Sequence, residues 1–345
     1  MLKKIVFYFI LLSFTLGFLE VGLRVFHHFY HTPIFFDGSY NQFRGQPLSD
    51  NYGFKLNSMG FKDKEFGSKQ DSVYRIIGIG DSFAFGVVPY QNNYLTLLEE
   101  NLRKQKKNVE VLNMGISSIG PLAYWSILER EGLALKPDMV VVSFFIGNDF
   151  KGDLFTRRNK FVSYSYLAAL VFYLGKLKKL DSKIYATSQA YCDTCATVNH
   201  ETYVETQKFW GSIYWKNDEI LKQGSETAAF YFSKIKQVCD NHNIKLLVLL
   251  LPNATQIDSK IRSEVINRDE KGRKLSDWDD TQPNRVWKEK LSELNIKYFD
   301  LYDTFKNIPE DTILYKPNDT HWNIRGNKLA ADGISIFMQN MPLHH

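Results

Sequence analysis

The fold of this chain is decided at VYRIIGIGDSF, residues 73–83, where a short apolar run ends in Gly80-Asp81-Ser82. The run 73–79 is typical of a strand that is buried on both faces of a parallel sheet. A serine that directly follows such a strand lies where the chain turns into the next helix, with its hydroxyl exposed at the carboxyl edge of the sheet. Glycine nearby relieves the backbone of this turn. Alone, the tripeptide can equally cap a helix, because aspartate and serine are both good N-caps.

From this point to the C-terminus, strand patterns alternate with helix patterns. The predicted strands are short apolar runs, and the predicted helices have apolar residues at helical spacing. This alternation predicts an α/β protein with a doubly wound, mostly parallel sheet, in which active groups gather at the carboxyl ends of the strands. The predicted strands are 73–79, 109–113, 139–146, 244–251 and 296–301, and the predicted helices are 94–104, 122–133, 227–242, 286–294 and 323–338.

Two further strand ends carry residues that suit an oxyanion hole. The second strand is followed by Gly115, where a backbone N–H can approach a ligand oxygen closely. The third is followed by Asn148, whose side-chain N–H can point to the same oxygen. With the amide of Ser82, these groups would stabilise negative charge that appears only in the transition state. Glycine and asparagine are also ordinary turn residues, so neither position is diagnostic alone.

A histidine beside an acid precedes the last predicted helix, in the segment 318–323. A serine hydroxyl is a poor nucleophile until a neighbouring base accepts its proton, and imidazole suits that role because its pKa lies near neutrality. On an extended segment, Asp319 would project to the same side as His321 and hold the ring in one tautomer. Of the eight histidines, only His321 adjoins an acid at a predicted strand–helix junction. We therefore predict Ser82 as nucleophile, His321 as its base and Asp319 as the acid that orients the base.

Four segments, taken in order, resemble the sequence blocks of the SGNH (GDSL) hydrolase family. The resemblance covers roughly residues 73–150 and 244–340, and it implies a flavodoxin-like three-layer α/β/α sandwich with a mostly parallel sheet. It also implies the same nucleophile, base and orienting acid, with an oxyanion hole made of the N–H groups of Ser82 and Gly115 and the side chain of Asn148. The segments that carry the resemblance are Gly80-Asp81-Ser82, Gly115, Asn148 and Asp319/His321.

Two details depart from the family pattern. The family usually spaces acid and histidine as D-x-x-H, which would place the acid at Asn318. Here the spacing is D-x-H, and the D-x-H-W segment is similar to that of the alginate-type O-acetyltransferase relatives. The third block usually reads G-x-N-D, whereas here Gly147 directly precedes Asn148. The first departure bears on the role of Asp319, and the second matters less because the asparagine still supplies the donor.

The reaction class implied by these residues is attack on an ester carbonyl, formation of an acyl-enzyme, and transfer to water or to a sugar hydroxyl. An N-terminal membrane anchor together with the D-x-H-W segment resembles proteins that edit acyl groups on exported polysaccharides, which favours an acyl ester of carbohydrate as substrate. Two alternatives stay open: a lysophospholipase or thioesterase, and a non-catalytic scaffold in a polysaccharide export assembly. This chemistry requires no metal or organic cofactor.

The N-terminus carries an export pattern. Lys3 and Lys4 precede an apolar stretch over residues 5–19, and the basic end of such a segment stays in the cytoplasm. The stretch reaches the roughly 20 residues of a membrane span only when it is extended to Phe26. We predict an uncleaved membrane anchor over residues 1–26 with the rest of the chain outside the cytoplasm. A cleaved signal peptide and a core helix of a cytosolic protein are the alternatives.

The remainder divides into a turn-rich extension over 27–70 and a domain over 71–345 that contains an insert at 151–225. The extension includes a predicted turn at 57–61. The insert is too long for a simple connection. Its apolar part, 161–180, suits a lid, a helix lying on the membrane, or a helical insert packed on the core.

Composition narrows the class of protein. With 44% hydrophobic and 23% charged residues in 345, the chain can bury a sizeable core in one large domain or two ordinary ones. The net charge of +5 is modest, and the basic run at 103–107 is typical of a solvated helix end, so no nucleic-acid partner is expected. Of three cysteines, Cys192 and Cys195 form a lone C-x-x-C, which is weak evidence for metal. They are either a small disulfide loop or two free thiols.

Overall fold

A five-stranded parallel sheet forms the centre of the protein in a computed structural model. The structure describes residues 2–29, 40–105, 107–154, 165–177, 190–309, 311–339, 341 and 343. The strand order in the sheet is β4-β3-β5-β6-β7, and a short antiparallel pair, β1 and β2, precedes it. The strands are β1 (Asp50–Asn51), β2 (Phe54–Lys55), β3 (Tyr74–Gly80), β4 (Val109–Asn113), β5 (Met139–Phe145), β6 (Lys245–Leu251) and β7 (Lys297–Asp300).

Helices cover both faces of this sheet. Further helices form the N-terminal segment of the chain and parts of the insert. The helices are α1 (Leu2–Phe29), α2 (Ser82–Phe85), α3 (Tyr94–Lys104), α4 (Pro121–Ile127), α5 (Tyr166–Leu177), α6 (His200–Trp210), α7 (Glu219–Asn241), α8 (Ala254–Ile257), α9 (Ser259–Asn267), α10 (Gln282–Glu293), α11 (Tyr302–Lys306) and α12 (Ile324–Met338).

The alternation of side chains along each strand divides the core in two. Ile77 and Val140 point to the face that is covered by α4, α7 and α10. Ile76 and Val141, one residue before and after, point to the face covered by α3 and α12. Because successive strand residues point to opposite faces, a strand that is apolar throughout must be covered on both sides. The predicted three-layer α/β/α architecture with a parallel sheet is confirmed.

The strand order also creates the edge at which the site forms. The chain passes from β3 to β4 on one side and then crosses to β5 on the other, so the connections diverge next to the end of β3. Divergent connections of this kind leave a crevice at the carboxyl ends of the strands. Gly80, the last residue of β3, pairs with Ser143 of β5, which brings the turns after these two strands to the same edge.

Three helices differ from the predicted ones, and one of them is α10, which begins at Gln282 rather than at the predicted residue 286. Helix α7 begins at Glu219, earlier than the predicted residue 227, because Asp218 caps its N-terminus by accepting a hydrogen bond from Leu221 N at 3.0 Å. The interior Gly224 weakens the helical pattern, but the structure needs it: a Cβ there would lie 2.0 Å from Phe150 O. Helix α4 ends at Ile127 and continues as a π-helical turn, so the predicted helix over 122–133 is not uniformly α-helical.

The N-terminal helix α1 is exposed and apolar. Residues Lys3–Phe29 are long and apolar enough to cross a membrane or to act as a signal anchor. Its Glu20 caps the inserted helix α5 by accepting hydrogen bonds from Tyr166 N and Leu167 N, each at 2.9 Å. Part of the predicted insert is therefore helical and docked on α1; the remainder of 161–180 that precedes Ser165 or follows Leu177 lies outside the described residues.

The extension before the sheet packs against the strand ends. The predicted turn at 57–61 forms, with Gly60 N donating to Asn57 O at 2.9 Å. The following Lys62 is 1% exposed, and its ammonium donates to Gly86 O at 2.8 Å, just after α2. Burial lowers the pKa of Lys62 to about 7. The extension thus supports the turn that follows β3.

Candidate active site

Ser82 is the first residue of the one-turn helix α2, directly after β3. Asp81 caps this helix, since its carboxylate accepts a hydrogen bond from Phe83 N at 2.9 Å. The first amides of a helix have no partner within it, so the N–H of Ser82 is available at the same edge as its hydroxyl. The half-buried Ser82 therefore lies at the carboxyl edge of the sheet, as predicted.

Asp319 and His321 lie in a tight turn rather than on the predicted extended segment. The turn is closed by hydrogen bonds from Lys316 N to His321 O at 3.0 Å and from Asp319 N to Lys316 O at 3.2 Å. The two side chains meet because the turn brings the Asp319 carboxylate next to the backbone and the ring of His321. Oδ1 of Asp319 accepts from both the backbone N–H of His321, at 3.0 Å, and its ring Nδ1, at 2.6 Å.

The three side chains form a continuous hydrogen-bonded relay. The Nε2 of His321 lies 2.7 Å from the Oγ of Ser82, and its Nδ1 lies 2.6 Å from Asp319. With the ring proton on Nδ1, the imidazole can accept the proton of Ser82 while Asp319 stabilises the imidazolium that results. This arrangement can activate the hydroxyl for attack on a carbonyl carbon.

The electrostatics of the pair suit this chemistry. Burial disfavours both charged groups, but their mutual attraction outweighs it. His321 and the hydrogen bonds to the Asp319 carboxylate hold the pKa of Asp319 well below its usual range. Asp319, and more distantly Asp81, raise the pKa of His321 above its usual value. Asp319 therefore stays ionised, and the base is strengthened.

Aromatic packing holds the turn in place. Trp322 is 2% exposed, stacks on Phe305 with ring centroids 4.9 Å apart, and meets Phe83 edge-on at 5.0 Å. Since Phe83 follows the nucleophile and Trp322 follows the base, their contact ties the two halves of the relay together. The ring of Phe83 also lies 5.1 Å from that of His321.

Asn148 lies beside the nucleophile. Its Nδ2 donates to Oδ2 of Asp81 at 3.1 Å. The amide nitrogen carries two hydrogens, so the second can be offered to a substrate oxygen. The neighbouring Asp149 fixes this turn by accepting from Phe145 N at 2.9 Å and from the hydroxyl of Tyr124 at 3.0 Å. Burial, and then the charge of Asp81, raise the pKa of Asp149 well above its usual value.

Gly115 approaches α2 closely, but its amide is engaged. The N–H of Gly115 donates to Oδ1 of Asn113 at 2.8 Å. A Cβ at Gly115 would lie 2.2 Å from Phe85 N, so only glycine fits against the nucleophile helix. Gly115 can donate to an oxyanion only if it exchanges its bond to Asn113.

Asn318, where the family pattern would place the acid, turns away from the relay. Its backbone has φ +49°, and its Nδ2 donates to Val198 O at 3.1 Å. The carboxylate that reaches His321 belongs to Asp319.

No protein-family model matches the chain, and neither does any curated protein. Solved structures that it resembles include the acetyl xylan esterase AlAXEase, at 16% identity and a TM-score of 0.44, covering 77% of this chain and 100% of that one. The lipase Lip_vut3 from a goat rumen metagenome has 14% identity and a TM-score of 0.45, covering 78% and 99%. The lipase/acylhydrolase from Enterococcus faecalis has 18% identity and a TM-score of 0.40, covering 76% and 94%.

The inserted segment supplies contacts that sequence reasoning missed. Cys192 and Cys195 are joined by a disulfide, which resolves the alternative that the C-x-x-C pattern left open. Just beyond it, the hydroxyl of Thr197 donates to Oδ2 of Asp319 at 2.5 Å. No pattern marked Thr197, because it lies on an irregular segment without helix or strand periodicity. Among the residues that the structure describes, no group of three or more His, Cys, Asp or Glu side chains is arranged to hold a metal ion.

Proposed function

We propose that this protein is a serine esterase or O-acyltransferase, held to the membrane by α1, that acts outside the cytoplasm on acyl esters of carbohydrate, with acetyl as the acyl group. The observation that carries the proposal is the relay from Ser82 through His321 to Asp319, with distances of 2.7 and 2.6 Å. Acyl transfer through a covalent intermediate requires a serine hydroxyl at the edge of the sheet that is hydrogen-bonded to an oriented imidazole.

The reaction proceeds in two steps. The Oγ of Ser82 attacks the ester carbonyl as His321 takes its proton, and the N–H of Ser82 and the amide of Asn148 stabilise the oxyanion. The C–O bond to the alcohol breaks, and His321 returns the proton to that alcohol, which leaves an acyl-serine. Water or a sugar hydroxyl then attacks the acyl-serine, with His321 again accepting and returning the proton. Water as acceptor gives an esterase, and a sugar hydroxyl gives an acyltransferase.

Two aromatic side chains support carbohydrate as the substrate class. Tyr52, at the tip of the β1–β2 pair, and Tyr191, beside the disulfide, have ring centroids 5.3 Å apart and are both half-buried. Burial and the nearby charge of Asp319 raise the pKa of Tyr52, which is consistent with a position close to the relay. Tyrosine combines an apolar ring with a polar tip, and such side chains suit contact with sugar rings. The D-x-H-W segment is in keeping with the same class.

A lipolytic hydrolase is the second candidate, and α5 is the observation that favours it. Val171 and Leu174 on this helix are 63% and 51% exposed, and the helix is capped by Glu20 of the apolar α1. Exposed apolar side chains next to an anchor suit contact with lipid. Hydrolysis of long-chain rather than acetyl esters would distinguish this candidate.

The deciding experiment measures acetate release from a panel of acetylated glycans by the full chain in detergent or nanodiscs, with Ser82→Ala as control. We expect Ser82-dependent release from at least one glycan and weaker turnover of long-chain lysophospholipids. If the protein is a transferase and the donor carries a labelled acetyl group, adding unacetylated glycan should lower the amount of labelled acetate and raise the amount of labelled sugar. Preference for the long-chain lipids would overturn the carbohydrate assignment.

The non-catalytic scaffold makes a different prediction. A fluorophosphonate probe labels an activated serine and leaves an ordinary one untouched, so we expect labelling that Ser82→Ala and His321→Ala abolish. Absence of labelling on the folded protein would favour the scaffold. For the topology, a reporter fused after residue 345 should behave as extracytoplasmic, and a cytoplasmic readout would overturn that part of the proposal.

A further inference from the structure

The inserted segment 193–207 lies along the turn that carries the acid and the base. Four hydrogen bonds connect this segment to residues 317–324, through backbone and side-chain groups of both segments. Thr197 N donates to Pro317 O at 3.1 Å, Asn318 Nδ2 to Val198 O at 3.1 Å, Gln207 Nε2 to Thr320 Oγ1 at 3.1 Å, and Ile324 N to Asp193 Oδ1 at 3.0 Å.

The hydroxyl of Thr197 completes these contacts at the acid itself. Oδ1 of Asp319 is occupied by His321, and Oδ2 accepts from Thr197 at 2.5 Å. With both oxygens bonded, the carboxylate cannot rotate without breaking a charge-assisted hydrogen bond. Asp319 is 7% exposed, so few water molecules can replace Thr197 as donor.

The disulfide braces the segment at its start. Cys192–Cys195 encloses Asp193, whose carboxylate accepts from the first N–H of α12 and from the hydroxyl of Tyr191 at 2.5 Å. Thr197 follows two residues after the loop. Because a short covalent loop removes conformations that the free segment would otherwise sample, it favours the one in which Thr197 reaches Asp319.

We propose that the disulfide-braced segment 191–207 is a clamp for the catalytic turn, in which Thr197 is a positioning residue for Asp319. This inference rests on the proposed function of the same site. It assigns to the insert a part in catalysis that acts through Asp319 and His321 and involves no contact with the reacting atoms.

The test compares Thr197→Val, which keeps the shape and loses the hydroxyl, with Thr197→Ser, which keeps the hydroxyl. Thr197 is exposed, so neither change leaves a cavity in the core. We expect Thr197→Val to lower kcat by about 10-fold to 100-fold with KM nearly unchanged, in line with the loss of a hydrogen bond to a charged group. Thr197→Ser should restore most of the rate.

The control is Thr227→Val, where an exposed hydroxyl bonds only to Gln223 O in its own helix. A spectroscopic readout separates positioning from general stability. The low-field proton resonance of the His321–Asp319 hydrogen bond should shift or exchange away in Thr197→Val and return in Thr197→Ser. Wild-type kcat and an unchanged resonance in Thr197→Val would overturn the proposal.

The disulfide provides a second arm. Cys192→Ser/Cys195→Ser should show a lower kcat that a reductant no longer changes, whereas reductant should lower the wild-type kcat to the same level reversibly. Full activity of the double variant would show that the disulfide does not contribute to the clamp. The two proposals fail differently: activity that survives Ser82→Ala sinks the proposed function, whereas an inactive Ser82→Ala with a fully active Thr197→Val sinks only the clamp.

Discussion

The Oγ of Ser82 and the Nε2 of His321 lie 2.7 Å apart, although 239 positions separate the two residues in the chain. One follows the first strand of the parallel sheet and the other precedes its last helix. Their distance is short enough for direct proton transfer without rearrangement. Because nucleophile and base act on the same proton, the effects of removing them should not be independent.

We therefore expect Ser82→Ala and His321→Ala each to lower kcat for a short-chain nitrophenyl ester by at least about 10³-fold, and the double variant to be no worse than either. His242→Ala, which changes an exposed histidine at the end of α7, should retain full activity. Rates that multiply in the double variant would mean that the two residues act separately.

The pH dependence of kcat/KM should report on Asp319. The base must be neutral to accept a proton, so activity falls as pH drops through the pKa of His321, which the Asp319 carboxylate raises. Asp319→Asn removes that charge and lowers the pKa of His321. We expect a lower rate overall, with the acid limb of the pH profile moved to lower pH.

The matched control is Asp311→Asn, which removes the same charge from an exposed residue outside the relay. It should keep both the rate and the acid limb of the wild type. An acid limb that stays in place in Asp319→Asn would show that the charge of Asp319 does not set the pKa of His321.

Asn148→Ala should lower kcat by about 10²-fold to 10³-fold with little change in KM, as is typical when one oxyanion donor is removed. The expected loss follows from its place next to the nucleophile, where Asp81 accepts from its amide at 3.1 Å. Steady-state kinetics on the nitrophenyl ester would measure it, with the exposed Asn267→Ala as control. A change confined to KM would assign Asn148 to substrate binding instead.

Gly115→Ala should both destabilise the protein and impair the site. The added Cβ would lie 2.2 Å from Phe85 N and 2.5 Å from Ala84 C, so the nucleophile helix must shift. Overpacking of this kind costs about 1–3 kcal/mol in the free energy of unfolding. Gly67→Ala, where nothing lies within 4 Å of the added atom, is the control for thermal unfolding and activity. Equal stability of the two variants would contradict the close approach.

Much of the fold could be predicted from the sequence. The strand over 139–145 is apolar except for Ser143, which is typical of a strand in a sheet covered on both faces, and the bounds of the helix Tyr94–Lys104 follow from its spacing and its Asn93 cap. The start of α7 could not be predicted in the same way. Gly224 lowers the helical propensity of that stretch. The glycine is needed because Phe150, from a distant segment, approaches too closely for a Cβ at this position.

The sequence by itself determined the order of the strands along the chain, the serine after the first of them and the histidine with its acid before the last helix. These are local patterns, because apolar periodicity and strand-end residues are carried by neighbours in the chain. Only the tertiary structure decided that the amide of Gly115 bonds to Asn113 and that Thr197 holds the acid from 122 residues away. Those contacts depend on how an irregular insert and a tight turn pack together, and such packing leaves no period in the sequence.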